Sequence, residues 1–157
     1  MGRIDLADLN WERRRFRRWD AYGQSKLANL LFTLALDRRL AAVGSSVRAL
    51  AAHPGYSATN LQSHYGHPVI DRLLRVGNRL FAQSAEMGAL PTVYAATQDL
   101  PGASYVGPDG RTETRGYPAL VGRSAEASDV TLAERLWEES ERLTGVGFPT
   151  SLAPRPV

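Results

Sequence analysis

Tyr22 and Lys26 are the side chains best spaced for chemistry in this 157-residue chain. They stand in the stretch D-A-Y-G-Q-S-K-L-A-N-L-L-F, from Asp20 to Phe32. On a helix, residues four apart share a face. An ammonium beside a phenol favours the phenolate. A tyrosine so placed can give a proton to a carbonyl oxygen or take one from an alcohol. The lysine can also donate hydrogen bonds to a ligand's hydroxyls. Spacing alone does not separate this from a polar stripe on a surface turn, so the surrounding elements must decide.

From Asp20 onward the pattern is helical. Leu27, Leu30, Leu31, Leu34, Ala35 and Leu40 recur at three- and four-residue steps. Phe32 and Leu36 widen the apolar sector, as in a helix buried on more than one side. Asp20 suits the N-cap, Arg38 and Arg39 suit the last turns, and Gly44 suits the C′ position. The helix is expected to end near Ala42. The run V-R-A-L-A-A-H, Val47 to His53, lies before Pro54-Gly55 and reads as a buried strand, parallel rather than edge. Helix, short turn and apolar strand make half of a βαβ unit.

Further on, Ile70, Leu73, Leu74 and Leu80 suggest another helix. Ser84 with Glu86 opens a helix that Pro91 should kink or split. Ser104 to Val106 reads as a short strand, followed by a turn at Gly107-Pro108-Asp109-Gly110. Asp129 caps a last helix stopped by Gly145. Residues 1–148 then form one domain, and the proline-rich segment 149–157 is a flexible tail. The opening segment to Trp19 has no clean period and reads as loop.

Taken in order, Tyr22-x-x-x-Lys26, L-A-N, an apolar helix, an apolar strand, Pro54-Gly55 and Thr59 resemble the short-chain dehydrogenase/reductase family. The stretches A-Y-G-Q-S-K-L-A-N-L-L-F and A-A-H-P-G-Y-S-A-T-N-L are similar to its retinol-dehydrogenase-like branch. So are the Y-V-G-P-D-G turn and the R-L-W-E-E-S-E-R-L-T-G helix. The resemblance implies an α/β fold, the C-terminal portion of a doubly wound, Rossmann-like parallel sheet. It implies hydride transfer between NAD or NADP and a small carbonyl or alcohol. Tyr22 matches the catalytic acid/base, and Lys26 matches the lysine that supports it and holds the nicotinamide ribose. Pro54 and Gly55 match the turn passing the nicotinamide. Ser57 stands where the family's backbone meets the carboxamide, and Thr59 where a side chain touches the cofactor near that end. Residues 60–83 match the variable substrate loop.

The same resemblance exposes a gap. Rossmann-like folds hold a dinucleotide with a glycine-rich turn opening a helix toward the pyrophosphate. Neither G-x-G-x-x-G nor G-x-x-x-G-x-G occurs here, and Gly145-Val146-Gly147 has no third glycine. The family's serine has no counterpart before Tyr22, Asp5 and Asn10 being poor substitutes by position. The expectation is a chain without the N-terminal nucleotide-binding half, inactive alone. The alternative is a short non-catalytic protein that self-associates, or pairs with a full-length relative, through the Tyr22 helix.

Composition narrows the classes further. There is no cysteine, hence no disulfide framework, thiol nucleophile or cysteine-based zinc site. With no signal-peptide pattern and no apolar run of membrane length, the expected location is the cytoplasm. The net charge of +3 owes much to Arg13, Arg14, Arg15, Arg17 and Arg18 around Phe16. Basic residues do not recur as a stripe elsewhere, so this cluster reads as a solvated loop with Glu12 and Asp20 as partners, and no nucleic-acid partner is expected. His53, His64 and His67 lack a third ligand at metal spacing and read as strand-end and surface residues.

Overall fold

The computed structural model describes residues 2–56 and 83–149. The expected helix at 70–80, Ser57, Thr59, the substrate-loop region 60–82, His64, His67 and the tail beyond Pro149 lie outside the described residues. The chain divides into two compact units. One comprises 1–51, 101–103 and 123–157, and the other 52–100 and 104–122. The arrangement is α/β, part of a Rossmann-like fold. No helix among the described residues is long and apolar enough to cross a membrane.

The first unit is built on α1 (Arg18–Ala42) and α3 (Val130–Thr144). Gln24, Leu27, Leu31 and Ala35 form one buried stripe on α1. Their steps of three and four keep them on one side of a helix with 3.6 residues per turn. Leu27, Leu31 and Ala35 meet Ala127, Ala133, Leu136 and Trp137 in a common core. Gly44 is left-handed (φ 67°) and closes α1 as expected. Its N–H donates to Ala41 O, and Ser45 N–H donates to Leu40 O, both at 3.0 Å. That pair of bonds satisfies carbonyls the helix leaves open. Asp129 Oδ1 accepts from Leu132 N at 2.9 Å to start α3, and Gly145 (φ 68°) ends it.

The N-terminus of α1 departs from expectation. Arg17, not Asp20, occupies the cap and makes no side-chain cap bond, while Asp20 lies in the first turn. The preceding loop explains the early start. The buried Asp8 carboxylate accepts amide hydrogens from Glu12, Arg13 and Arg14, folding the chain tightly before the helix. Burial pushes the Asp8 carboxyl up, but those amides and the Arg14 charge outweigh it and hold it below its ordinary value. Arg14 pairs with Asp5 and Asp8, rather than Glu12 or Asp20, and its guanidinium lies 3.8 Å over the Trp11 ring.

The second unit carries α2 (Ala85–Thr97), β2 (Tyr105–Pro108) and β3 (Pro118–Leu120). The short strand β1 (Ala51–Ala52) stands at its boundary. The sheet order is β1-β2-β3, with β2 and β3 antiparallel in the register Val106 to Leu120. Ala103 N donates to Ala49 O and His53 N to Val106 O, bonds that climb both strands together, so β1 runs parallel to β2. The Val47–His53 run is therefore parallel but not buried. Its ladder narrows to two residues at one end of the sheet, and Ala52 is exposed because only β2 flanks it among the described residues.

Ser84 caps α2 through Met87 N, as expected. The helix does not split at Pro91. Pro91 is fully buried, and that packing holds the helix through the missing amide bond. Gly107 and Pro108 lie in β2 rather than in the turn, which begins at Asp109.

Candidate active site

The first unit presents Tyr22 and Lys26 together. Gln24, roughly 200° round the helix from Tyr22, is buried against the N-terminal loop. Its Nε2 donates to Leu9 O at 3.0 Å, and its Oε1 accepts from Arg14 Nη2 at 2.6 Å. Anchoring that side turns Tyr22 and Lys26 outward. Tyr22 is 53% exposed, and Lys26 is exposed. Lys26 Nζ lies 5.4 Å from the Tyr22 ring centroid, over its face, a cation–π approach. Trp19 meets the same ring edge-on at 6.3 Å. An open cavity of about 670 Å³ is lined by Arg3, Trp11, Arg15, Arg17, Trp19 and Gly23, among others, but by neither Tyr22 nor Lys26. The phenol and ammonium thus share one accessible helix face, as general acid/base work requires.

The second unit holds the Pro54–Gly55 turn by an extended set of hydrogen bonds. Gln83, buried and 29 positions along the chain, donates from Nε2 to Pro54 O at 2.6 Å. Its Oε1 accepts from Gly116 N at 3.2 Å, and its own N–H donates to Tyr56 O at 2.9 Å. Tyr56 N donates to Thr114 O at 2.7 Å, and Gly55 N to His53 Nδ1 at 3.3 Å. Gly55 is left-handed (φ 63°), and a Cβ there would stand 2.5 Å from Thr114 O. Glycine is therefore required twice, by conformation and by space.

Neither Gln83 nor Glu113, which approaches His53, was marked by sequence motif. Gln83 lies at the end of the segment read as substrate loop, and only a contact across 29 residues reveals its role. Ser57 and Thr59 fall outside the described residues.

No protein-family model matches the chain. Human retinol dehydrogenase 13 is 39% identical over 153 residues, 95% of this chain and 44% of that protein. Mouse polyprenol dehydrogenase is 38% identical over 150 residues, 94% of this chain and 42% of its own length. The chloroplastic short-chain dehydrogenase TIC 32 A of Brassica napus is 35% identical over 132 residues, covering 82% and 38%. The crystal structure of an uncharacterized protein from Mycobacterium paratuberculosis is 52% identical, with a TM-score of 0.74 over 94% of this chain and 47% of that one. Over most of its length this chain is similar to short-chain dehydrogenases/reductases. It spans less than half the length of these relatives.

A nicotinamide cofactor would ask for hydrogen-bond donors at its ribose and at the reacting oxygen, and for a glycine-rich turn at its diphosphate. Tyr22 and Lys26 leave a phenol and an ammonium open to a ribose and a reacting oxygen. The diphosphate end has no glycine-rich turn in this sequence.

Proposed function

We propose that the chain carries the acid/base half of an NAD(P)-dependent oxidoreductase site and is inactive alone. Its substrate class is a small carbonyl or alcohol. The observation that carries this reading is the exposed Tyr22 phenol with the Lys26 ammonium over its ring, in a chain similar to short-chain dehydrogenases/reductases. Tyr22 Oη gives a proton to the carbonyl oxygen during reduction and takes it from the alcohol during oxidation. Lys26 donates hydrogen bonds to the ribose hydroxyls and keeps positive charge beside the phenol. A bound nicotinamide supplies or accepts the hydride. Pro54 and Gly55 offer the turn that passes the nicotinamide, with Ser57 and Thr59 continuing the contact. Its cysteine-free sequence suits a reducing compartment, and the cytoplasm is the proposed location.

The test is a titration of the labelled chain with NADPH, nicotinamide mononucleotide and AMP, followed by NMR. NADPH and the mononucleotide should shift the Tyr22 and Gly55 amides equally and weakly, at millimolar concentration, while AMP shifts neither. Micromolar NADPH affinity would show a working dinucleotide site and overturn the claim of inactivity. Silence at both amides would remove the cofactor reading.

A second reading is favoured by β1, which has only β2 beside it among the described residues, and by exposed Phe32 and Val47. An unpaired strand edge is a template for another chain. On this reading the protein is non-catalytic and self-associates through the Tyr22 helix, or pairs there with a full-length relative. Sedimentation velocity should show dimers or larger species at micromolar concentration. A monomer with one cooperative thermal transition would eliminate this reading.

A further inference from the structure

His53 was a bland strand-end histidine in the sequence, yet its ring is tightly placed. It is half-buried, tilted against the Tyr105 ring at 5.0 Å between centroids. Gly107 of β2 lies so close to Nε2 that a Cβ would occupy the same space. The backbone of His53 is fixed by donation to Val106 O at 2.9 Å. Nδ1 faces back along its own chain and accepts the Gly55 N–H at 3.3 Å. Nε2 is buried without a hydrogen-bond partner among the described residues, the nearby Glu113 carboxylate of the β2–β3 hairpin standing 3.4 Å away. In a neutral imidazole one nitrogen donates and the other accepts. An acceptor at Nδ1 therefore places the proton on Nε2, toward Glu113.

We infer that His53 is a positioning residue for the Pro54–Gly55 turn, holding the Gly55 amide through Nδ1 as the Nε2–H tautomer, with the Glu113 carboxylate beside that proton. Protonation places a hydrogen on Nδ1, and two donors then oppose each other. The turn loses one of its anchors, with Gln83 and Thr114 keeping the rest. This makes the turn sensitive to pH. Among the described residues, the groups facing the ring are the Glu113 carboxylate from the hairpin and the Tyr105 ring from β2. Burial lowers the imidazole below its ordinary 6.5, and Glu113 partly offsets that. The stability linked to the neutral ring is full above pH 6.5 and is lost as pH falls through the lowered folded value. The consequence for the cofactor rests on the function proposed above, but the ring–amide bond does not.

The experiment reads that bond directly in the full chain. Long-range proton–nitrogen spectra should show His53 as Nε2–H at pH 7.5. On acidification the Gly55 amide and the His53 ring should shift with one common midpoint below 6.5. Glu113→Gln should move that midpoint lower still. His53→Asn retains an acceptor that cannot titrate, so the Gly55 amide should keep its position and lose its pH dependence. An Nδ1–H tautomer, or a Gly55 amide that stays still while His53 titrates, would overturn the proposal. These readouts need no cofactor, so they can fail while the nucleotide titration succeeds, or the reverse.

Discussion

Leu31→Ala should lower the unfolding free energy of this protein by about 2–5 kcal/mol, while Phe32→Ala, one residue on, should lower it by about 1 kcal/mol. Leu31 is 0% exposed at the middle of the α1 stripe, among Leu27, Ala35, Ala133, Leu136 and Trp137. Removing its branched end forfeits transfer free energy and leaves a cavity that two helix backbones cannot close. Phe32 is 49% exposed and stacks one face on Trp137 at 5.2 Å. Its loss opens a surface site that water fills. Total stabilities of domains run about 5–15 kcal/mol, so Leu31→Ala alone consumes a large part of what holds α1 to α3. Urea denaturation followed at Trp137 measures both. Equal losses in the two variants would mean that the stripe through Gln24, Leu27 and Leu31 is not the buried face. Tyr22 and Lys26 would then lose the anchoring that turns them outward.

That stripe was legible because helix periodicity survives in sequence wherever one face is buried. Leu27, Leu31 and Ala35 named the core, and Gly44 and Gly145 named the two C-termini, since left-handed caps select glycine. The start of α1 was not legible. Asp20 is a strong capping type, but Asp8 folds the preceding loop so that the helix begins at Arg18 and leaves Asp20 inside. Local propensity gave way to a buried carboxylate twelve residues earlier. The strand before Pro54 was overvalued for a similar reason. Apolar runs imply partners on both sides, whereas only β2 flanks β1 among the described residues. β3 was missed because Pro118-Ala119-Leu120 is too short to show alternation.

The candidate site divides the same way. Tyr22 and Lys26 were readable from a four-residue spacing, and the helix places them on one face. The turn at Pro54-Gly55 was readable from its residue types. What holds that turn was not. Gln83, Thr114 and Glu113 reach it from distant positions, through single polar contacts that leave no periodic trace. The relatives corroborate the family without touching these supports, because identity over the chain says nothing about which amide a glutamine holds.

The turn itself gives the second large expected effect, through two glycines with nearly equal φ. Gly55 has φ 63° and Gly145 has φ 68°. A left-handed alanine costs about 1–2 kcal/mol at either position. At Gly145, nothing lies within 4 Å of a new Cβ, so Gly145→Ala should show that conformational cost and no more. At Gly55 the Cβ would stand 2.5 Å from Thr114 O and 2.7 Å from Pro108 Cγ. Thr114 O cannot retreat freely, because it accepts the Tyr56 N–H at 2.7 Å. Overpacking of this kind adds about 1–3 kcal/mol, so Gly55→Ala should cost about 2–5 kcal/mol in all. Hydrogen exchange localises the damage. The Tyr56 amide should lose protection in Gly55→Ala and keep it in Gly145→Ala. Equal losses in both variants would mean that backbone conformation alone selects glycine at 55. The turn would then have room to spare, and the close approach of Thr114 would not be what fixes its path.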